Sequence, residues 1–161
     1  MGVKTVGDYL HEFLWRDRIA VINAALTHDG DPNYAQYELK KVWKGHSDAI
    51  ADFPCLVLEP SGIRQRIPAI QTLQHEYTFR IYGYVVHEDV EESAGLISEL
   101  ADVIHDEVFE PEWLNDLTID GVLHQYDPTP IGEVDFFPTF VGATQAFCRG
   151  FEMKWSVWSG E

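Results

Sequence analysis

Basic side chains are scarce in this sequence. Its 161 residues include 11 lysines and arginines against 27 aspartates and glutamates, which gives a formal net charge of −16 at pH 7. A field of that sign repels phosphate groups and anionic membranes. We therefore expect neither specific binding of nucleic acid nor attachment to a membrane, although nucleic acid can pass such a surface without adhering to it.

Cysteine is almost missing as well. Cys55 and Cys148 are the only two, and each lies in an apolar run typical of a strand. Two buried free thiols fit these positions, and so does a disulfide between neighbouring strands. The fold needs no such staple, because a chain of this length buries roughly 70% of the surface that its unfolded form exposes.

Long apolar runs are missing too. No run approaches the roughly 20 residues that span a bilayer, and the first nine residues contain no apolar core of a secretory signal. We therefore expect synthesis in the cytoplasm. The hydrophobic fraction of 45% is ordinary for a globular protein and predicts one domain with its own core over residues 1–161.

Two segments have the apolar spacing of amphipathic helices. Residues 5–26 form the first, which Thr5 and Asp8 would open as a capping box. Residues 89–109 form the second, with Asp89 as its N-cap. The second helix should direct four apolar residues to the core: Ile97, Leu100, Ile104 and Val108.

A variable helical or loop insertion is expected around residues 28–52. Residues 28–32 form a turn cluster that should end the first helix. Lys40, Lys41 and Lys44 form the one notable basic cluster of the chain, and their spacing suggests a short helix. Its basic face is either solvated or in contact with an acidic partner surface.

Four segments have strand signals. They are residues 53–59, 72–88, 117–126 and 143–158. Residues 61–70 have the composition of a polar loop or a hairpin tip, and residues 133–141 that of a strand broken at Pro138. Taken with the helices, this order predicts an α+β fold: a largely antiparallel sheet with long strands, flanked by two or three helices on one face.

The strand of residues 72–88 is unusually long. At about 3.3 Å per residue it would reach roughly 50 Å, which is more than a small domain needs. Either Gly83 marks a bulge or a bend, or part of the strand projects beyond the core as a hairpin arm.

Catalytic motifs are missing from the chain. The seven histidines lack the spacing of a zinc helix or finger, and Asp29-Gly30-Asp31 begins like a calcium loop without the remaining ligands. The sequence has neither a Gly-rich phosphate loop nor a nucleophile elbow. We therefore predict no enzymatic activity, no cofactor and no bound metal.

Aromatic residues, by contrast, are plentiful and make up 13% of the chain. Tyrosine and tryptophan are enriched in interface cores because they bury a large area at a low cost in entropy. Tyr82 and Tyr84 lie on the face of the long strand opposite to Phe79 and Ile81, which we call the second face. Phe136, Phe137 and Phe140 lie in a proline-flanked segment. They either complete the core of the domain or meet partner proteins.

The order of the elements resembles that of a known family. A strand with the sequence FPCLVLEP (residues 53–60) precedes the long strand YTFRIYGYVV (residues 77–86), the amphipathic helix of residues 90–108 and the closing strand AFCRGFEMKW (residues 146–155). This pattern, over residues 53–158, resembles the tail terminator or tail-completion proteins of long-tailed bacteriophages and their relatives in the phage neck.

The resemblance implies a structural virion protein without enzymatic activity. Its subunits would form a ring, typically a homohexamer, that caps the finished tail tube and joins it to the head. The implied partners are the tail tube, the sheath where a tail has one, and the neck or connector proteins, while DNA slides through the acidic ring unbound. The residues that we predict for ring contacts are Arg64, Arg66, Tyr82 and Tyr84.

Other functions also fit the pattern. The chain would equally suit another neck or connector subunit of the virion. An acidic protein that mimics DNA and blocks a host nuclease is a further hypothesis, and the acid-rich helix of residues 91–112 is its cue. A small enzyme that uses carboxylates on a metal is the last alternative.

Overall fold

The computed structural model describes residues 2–26, 38–47, 49–69, 72–86, 90–109, 117–119, 123–125, 134–142 and 146–160. The helices are α1 (Val3–Glu12), α2 (Ile19–Ala25) and α3 (Val90–Ile104), and π-helical turns follow α1 at Phe13–Asp17 and α3 at His105–Phe109. The strands are β1 (Lys41–Lys44), β2 (Cys55–Ala69), β3 (Thr72–Val85), β4 (Leu117–Ile119), β5 (Leu123–Gln125), β6 (Val134–Val141) and β7 (Ala146–Gly160). The predicted turn at residues 28–32, its Asp29-Gly30-Asp31 motif and the Asp89 cap lie outside the described residues.

All seven strands belong to one sheet. Their order is β1-β2-β3-β7-β5-β4, and β6 pairs with β7 in addition. β1 runs parallel to β2, whereas the other described pairs are antiparallel. The predicted α+β class with a largely antiparallel sheet of long strands is therefore confirmed.

The centre of the sheet is a long hairpin of β2 and β3. Its register runs from Cys55 opposite Tyr84 to Ala69 opposite Thr72, with a shift between Pro60 and Gly62. Residues 61–69 do not form a loop, because β2 continues through them. The alternative prediction of a hairpin tip agrees with the structure, since Ala69 at the end of β2 pairs with Thr72 at the start of β3. Pro60 is tolerated beside the register shift, where the ladder is already interrupted.

Gly83 does not mark a bulge. It lies in regular register, opposite Leu56 on β2 and Phe151 on β7. A Cβ atom at this position would lie 2.1 Å from the ring of Phe151. Glycine is therefore required because the aromatic ring of the neighbouring strand fills the space of a side chain.

The first face of the sheet carries the main core. Leu56, Phe79 and Ile81 on β2 and β3 are buried there with Met153 and Trp155 on β7. Apolar residues of all three helices belong to the same cluster. Its α3 members include the four predicted core residues, Ile97, Leu100, Ile104 and Val108, all of which are buried.

The buried side of the first helical segment, residues 5–26, shifts around the helix axis along its length. Leu10 and Leu14 are buried as the spacing predicts, but Ile22 is then fully buried while Val21 is 39% exposed. The π-helical turn between α1 and α2 explains this shift, because it adds a residue to the turn. The predicted capping box at Thr5 is also wrong: α1 begins at Val3, and its N-cap Gly2 makes no side-chain cap.

The predicted helix around Lys40, Lys41 and Lys44 is wrong, because this segment contains β1. Val42 and Trp43 turn to opposite faces of the sheet, which is the alternation of a strand. All three lysines are nevertheless exposed, as a solvated face requires.

A segment after β1 crosses the second face of the sheet. We call residues 45–54, apart from residue 48, the strap. Its Ile50 belongs to a smaller buried cluster with Cys55, Val57 and Tyr84. Gly142, after β6, adopts a φ of 84°, and a Cβ atom there would lie 2.1 Å from the Ile50 carbonyl oxygen. The strap thus packs directly on the backbone at the end of β6.

Two further strand predictions need correction. β6 is not broken at Pro138, which pairs with Arg149 within a continuous ladder to β7. Proline has no N–H to donate, so it fits at a strand position where the N–H group would point away from the neighbouring strand. The segment of residues 117–126 contains two short strands rather than one, β4 and β5, which pair antiparallel with each other.

Candidate assembly surfaces

Tyr82 and Tyr84 lie side by side on the second face of the sheet. Their rings are nearly parallel, with centroids 6.4 Å apart. Tyr84 is buried and Tyr82 is half-buried, and both line an open groove of about 420 Å³ with His46, Ser47 and Thr139. Of the two tyrosines predicted for ring contacts, Tyr84 is therefore engaged within its own chain.

A network of hydrogen bonds connects the strap to the second face of the sheet. The His46 ring lies 2.7 Å from Glu59 Oε1 through Nδ1 and 2.6 Å from Tyr84 Oη through Nε2. The backbone N–H of His46 donates to the same Glu59 oxygen at 2.6 Å. With the imidazole neutral, Nδ1–H donates to the carboxylate and the Tyr84 hydroxyl donates to Nε2.

The pKa values of Tyr84 and Glu59 favour a structural role for this hydrogen-bond network over a catalytic one. Burial raises the pKa of Tyr84, and the neighbouring Tyr82 and Cys55 raise it further, so the phenol stays protonated at neutral pH. Burial also raises the pKa of Glu59, but the hydrogen bonds from the backbone and ring of His46 outweigh it and lower the pKa overall. A protonated phenol is a poor nucleophile.

Arg64 and Arg66 lie at the far end of the hairpin from the tyrosines. Arg64 donates to Glu76 Oε2 at 2.7 Å, and its side chain is 71% exposed. Arg66 lies opposite Gln74 in the register, whereas Tyr82 lies opposite Val57. The structure therefore places the four predicted contact residues in two separate groups.

Cys55 and Cys148 are both reduced thiols and form no disulfide. Cys55 is on β2 and Cys148 on β7, and β3 lies between them. Two strand spacings separate their backbones by roughly 10 Å, beyond the roughly 7 Å that a disulfide spans. Burial raises the pKa of Cys55 to about 12 and that of Cys148 to about 11, so both remain protonated.

Three phenylalanines form an exposed patch where β6 meets β7. We call Phe136, Phe140 and Phe147 the Phe patch; their exposed fractions are 53%, 60% and 52%. Phe140 and Phe147 pack edge to face with ring centroids 5.4 Å apart. Phe136 lies opposite Phe151 in the ladder, so the patch continues the first face of the sheet beyond the core.

A small cavity lies at the other edge of the sheet, between α1 and β2. It has a volume of about 170 Å³, and we call it the Lys pocket. Its lining includes three charged residues and five uncharged ones: Lys4, Asp8, Lys44, Val3, Gly7, Leu58, Pro60 and Phe79. Asp8 receives hydrogen bonds from Lys44 at 2.9 Å and from Lys4 at 3.1 Å, and these bonds lower its pKa.

Most carboxylates of α3 and of the π-helical turn that follows it share one side. At about 100° per residue, five of them fall within a sector of about 100°. We call this set the acid ridge; it comprises Glu91, Glu92, Glu99, Asp102 and Asp106. Glu91, Asp102 and Asp106 are exposed, and the other two are half-buried.

Sequence reasoning missed His46 and Glu59. They are 13 residues apart in the chain, and His46 is 38 residues from Tyr84. No local motif marks such a set, because the strap and two strands bring the members together. The Phe patch was partly foreseen, since Phe136 and Phe140 were noted as aromatics in a proline-flanked segment.

No family model matches the chain, and no curated protein matches it. Among the residues that the structure describes, no cluster of three or more His, Cys, Asp or Glu side chains could hold a metal ion. No helix within that part of the chain is long and apolar enough to cross a membrane.

Proposed function

We propose that this protein is a structural component of a phage virion, a ring-forming tail terminator. The subunits cap the finished tail tube and join it to the head through the neck. The observation that carries the proposal is the Phe patch. Three large aromatic side chains, each more than half exposed and adjacent on one sheet, call for a protein partner to cover them.

The order of elements supports the same class. The strand of residues 53–60, the long strand, the amphipathic helix and the long closing strand that suggested the resemblance correspond to β2, β3, α3 and β7, although β2 continues beyond Pro60 and is as long as the others. β2 and β7 have 15 residues each and β3 has 14. Among the described residues, β1 pairs with β2 only over Cys55–Leu58, so the rest of β2 is an edge of the sheet, and such an edge suits a contact between subunits.

The charge supports passage of DNA through the ring. The chain carries −16 at pH 7, and the acid ridge concentrates part of that charge on one side of a helix. Carboxylates that line a channel repel the phosphates of DNA, so the duplex slides without adhering. We propose that the acid ridge faces this channel, with the tube on one face of the ring and the neck proteins on the other.

The acid ridge also supports a second candidate function. Aligned carboxylates on one helix can imitate the phosphates of a DNA strand, which would make the protein an inhibitor of a host nuclease. The Phe patch favours the structural role, because a DNA mimic acts through its charged surface and needs no exposed aromatic patch.

Deletion of the gene from the genome that encodes it tests the proposal. The expected result is DNA-filled heads and separate tails of irregular length in electron micrographs, with joined virions restored by the gene supplied in trans. Joined, infectious virions with tails of normal length would contradict the proposal. Virions that assemble normally but whose DNA is degraded by the host would favour the inhibitor instead.

A further inference from the structure

Arg149 lies in the middle of the Phe patch. It is opposite Pro138 in the ladder between β6 and β7, two residues from Phe147 on the same strand. Since side chains two residues apart on a strand share a face, Arg149 projects from the first face of the sheet together with Phe147. Phe136 and Phe140 lie two residues to either side of Pro138, so they flank the arginine on the neighbouring strand.

The half-buried side chain of Arg149 lacks an acceptor for its hydrogen bonds. Among the residues that the structure describes, its Nε atom is buried without a hydrogen-bond partner, and no ion pair includes it. A buried donor without an acceptor costs free energy, and a cation in apolar surroundings costs more unless a carboxylate pairs with it. A bound molecule with an anionic oxygen would supply the acceptor that this arginine needs.

A cavity beside Arg149 has room for such a group. It has a volume of about 150 Å³ and lies between α3 and the ladder of β6 and β7. Ala94 and Ser98 on α3, both of which are exposed, form one wall, and Phe136 and Pro138 on β6 form another. Of the described residues that line the cavity, Arg149 alone is charged, and none belongs to the acid ridge. Apolar walls around a single cation suit a carboxylate on an apolar stem.

A second copy of the chain is poorly suited to this site. Outside the acid ridge, most of the described carboxylates are already paired with basic side chains of their own chain. These are Asp8, Glu12, Asp17, Glu59, Glu76, Glu107 and Glu152. The acid ridge sets its carboxylates side by side, so docking it against one arginine would leave most of them facing apolar rings, which is costly. The charges therefore favour a different protein over a copy.

We propose that Arg149 and the Phe patch dock a different protein, through an apolar segment that carries one carboxylate. The apolar side chains of this segment cover the Phe patch, and its carboxylate enters the cavity and accepts hydrogen bonds from the guanidinium group. Aromatic side chains and arginine are the residues that are enriched in the cores of interfaces. The inference rests on the proposed function, for which it specifies the chemistry of the partner.

Two small probes of similar shape test the site on the purified full chain. Phenylpropanoate has a carboxylate on an apolar stem, and phenylpropanamide is its neutral counterpart. NMR titrations give the dissociation constant of each probe. We expect the wild type to bind the carboxylate about tenfold more tightly than the amide, because a charge-assisted hydrogen bond is stronger than a neutral one.

Three variants separate the arginine from the apolar walls. Arg149→Met removes the charge and should abolish the preference for the carboxylate, whereas Arg149→Lys keeps the charge without the bidentate geometry and should retain part of it. Lys154→Met is the matched control, because it removes an exposed cation from the opposite face of the same strand, and it should bind both probes as the wild type does. Circular dichroism reports whether each variant is folded, and Arg149→Gln replaces Arg149→Met if the latter fails to fold. A wild type without the preference, or a preference that survives in Arg149→Met, overturns the inference.

The source of the carboxylate is tested during virion assembly. Arg149→Glu in the genome that encodes the protein should block the joining of heads to tails. Suppressors should replace an aspartate or glutamate of another virion protein by lysine or arginine. Such suppressors in the gene of this protein itself would show that a second copy occupies the site, and would overturn the choice of partner.

The strain with the gene deleted separates this inference from the proposed function. Normal assembly with Arg149→Glu, when deletion blocks assembly, overturns the inference and leaves the proposed function standing. Normal assembly after deletion overturns the proposed function and the docked partner with it.

Discussion

At the scale of single residues, the fold depends on two glycines whose lack of a side chain leaves room for neighbouring atoms. Gly83 leaves space for the Phe151 ring, and Gly142 leaves space for the carbonyl of Ile50. The charged residues act through pairing, and Glu59 shows this best because it accepts from both the backbone and the ring of His46. Three substitutions follow from these contacts.

Gly83→Ala should destabilise the protein, because the new Cβ atom overlaps a fully buried aromatic ring. We expect a loss of about 1–3 kcal/mol in the free energy of unfolding, as for other overpacked cores. Gly95→Ala is the matched control: Gly95 is exposed within α3, with nothing within 4 Å of its Cβ position, and should gain about 0.5–1 kcal/mol. Urea denaturation measures both, and equal effects would contradict the account.

Glu59→Gln should alter how stability depends on pH. The pKa of Glu59 is lowered from its ordinary 4.5, so its stabilising contribution is complete above that value and is lost as pH falls through the lowered value. The free energy of unfolding of the wild type should therefore exceed that of Glu59→Gln at neutral pH. The difference should shrink as pH drops below about 5.

Urea titrations of both proteins at a series of pH values measure this difference. Asp8 and Asp17, whose pKa values are also lowered by basic neighbours, are unchanged in the variant and cancel in the comparison. A difference that stays constant from neutral to acidic pH would show that the Glu59 carboxylate does not contribute through its charge.

At the scale of elements, the pattern of apolar residues predicted much of the fold. The two amphipathic helices and the long strand of residues 72–88 were found because their periodicity is local. The strand beyond Pro60 and the continuity of β6 through Pro138 were missed, since both depend on partners elsewhere in the sheet. The strap was missed for the same reason: its contacts with Tyr84 and Gly142 join distant parts of the chain.

The strap gives a prediction at this scale. Gly45 and Gly142 have nearly the same φ, 85° and 84°, so alanine is strained at either site by about 1–2 kcal/mol. Gly142→Ala also drives a Cβ atom against the Ile50 carbonyl and should lose about 1–3 kcal/mol more. It should also speed the reaction of Cys55 and Cys148 with a thiol reagent under native conditions, because the strap covers their cluster.

Gly45→Ala serves as the control for that experiment. Its nearest heavy atom is the flexible Glu59 carboxylate at 3.8 Å, so the strap should stay closed and the thiols should react at the rate of the wild type. Equal reaction rates in Gly142→Ala and Gly45→Ala would show that the strap does not depend on its contact with Gly142.

At the scale of the whole molecule, charge and aromatic surface act against each other. A net charge of −16 keeps copies apart in solution, whereas the Phe patch favours association with a partner protein. The predicted contact residues Arg64 and Arg66 lie at the far end of the hairpin from the patch, and their role in a ring stays a prediction. The sequence could not reveal that Phe136, Phe140 and Phe147 form one exposed patch, because the pairing of β6 with β7 exists only once the sheet is formed.

The mass of the wild-type protein tests the central claim most directly. Native mass spectrometry over a range of concentrations, with negative-stain electron microscopy of the same samples, reports both the number of subunits and the shape. The account predicts a closed ring with a central opening wide enough for duplex DNA. A strict monomer at the highest concentration, with no ring in the micrographs, would contradict it.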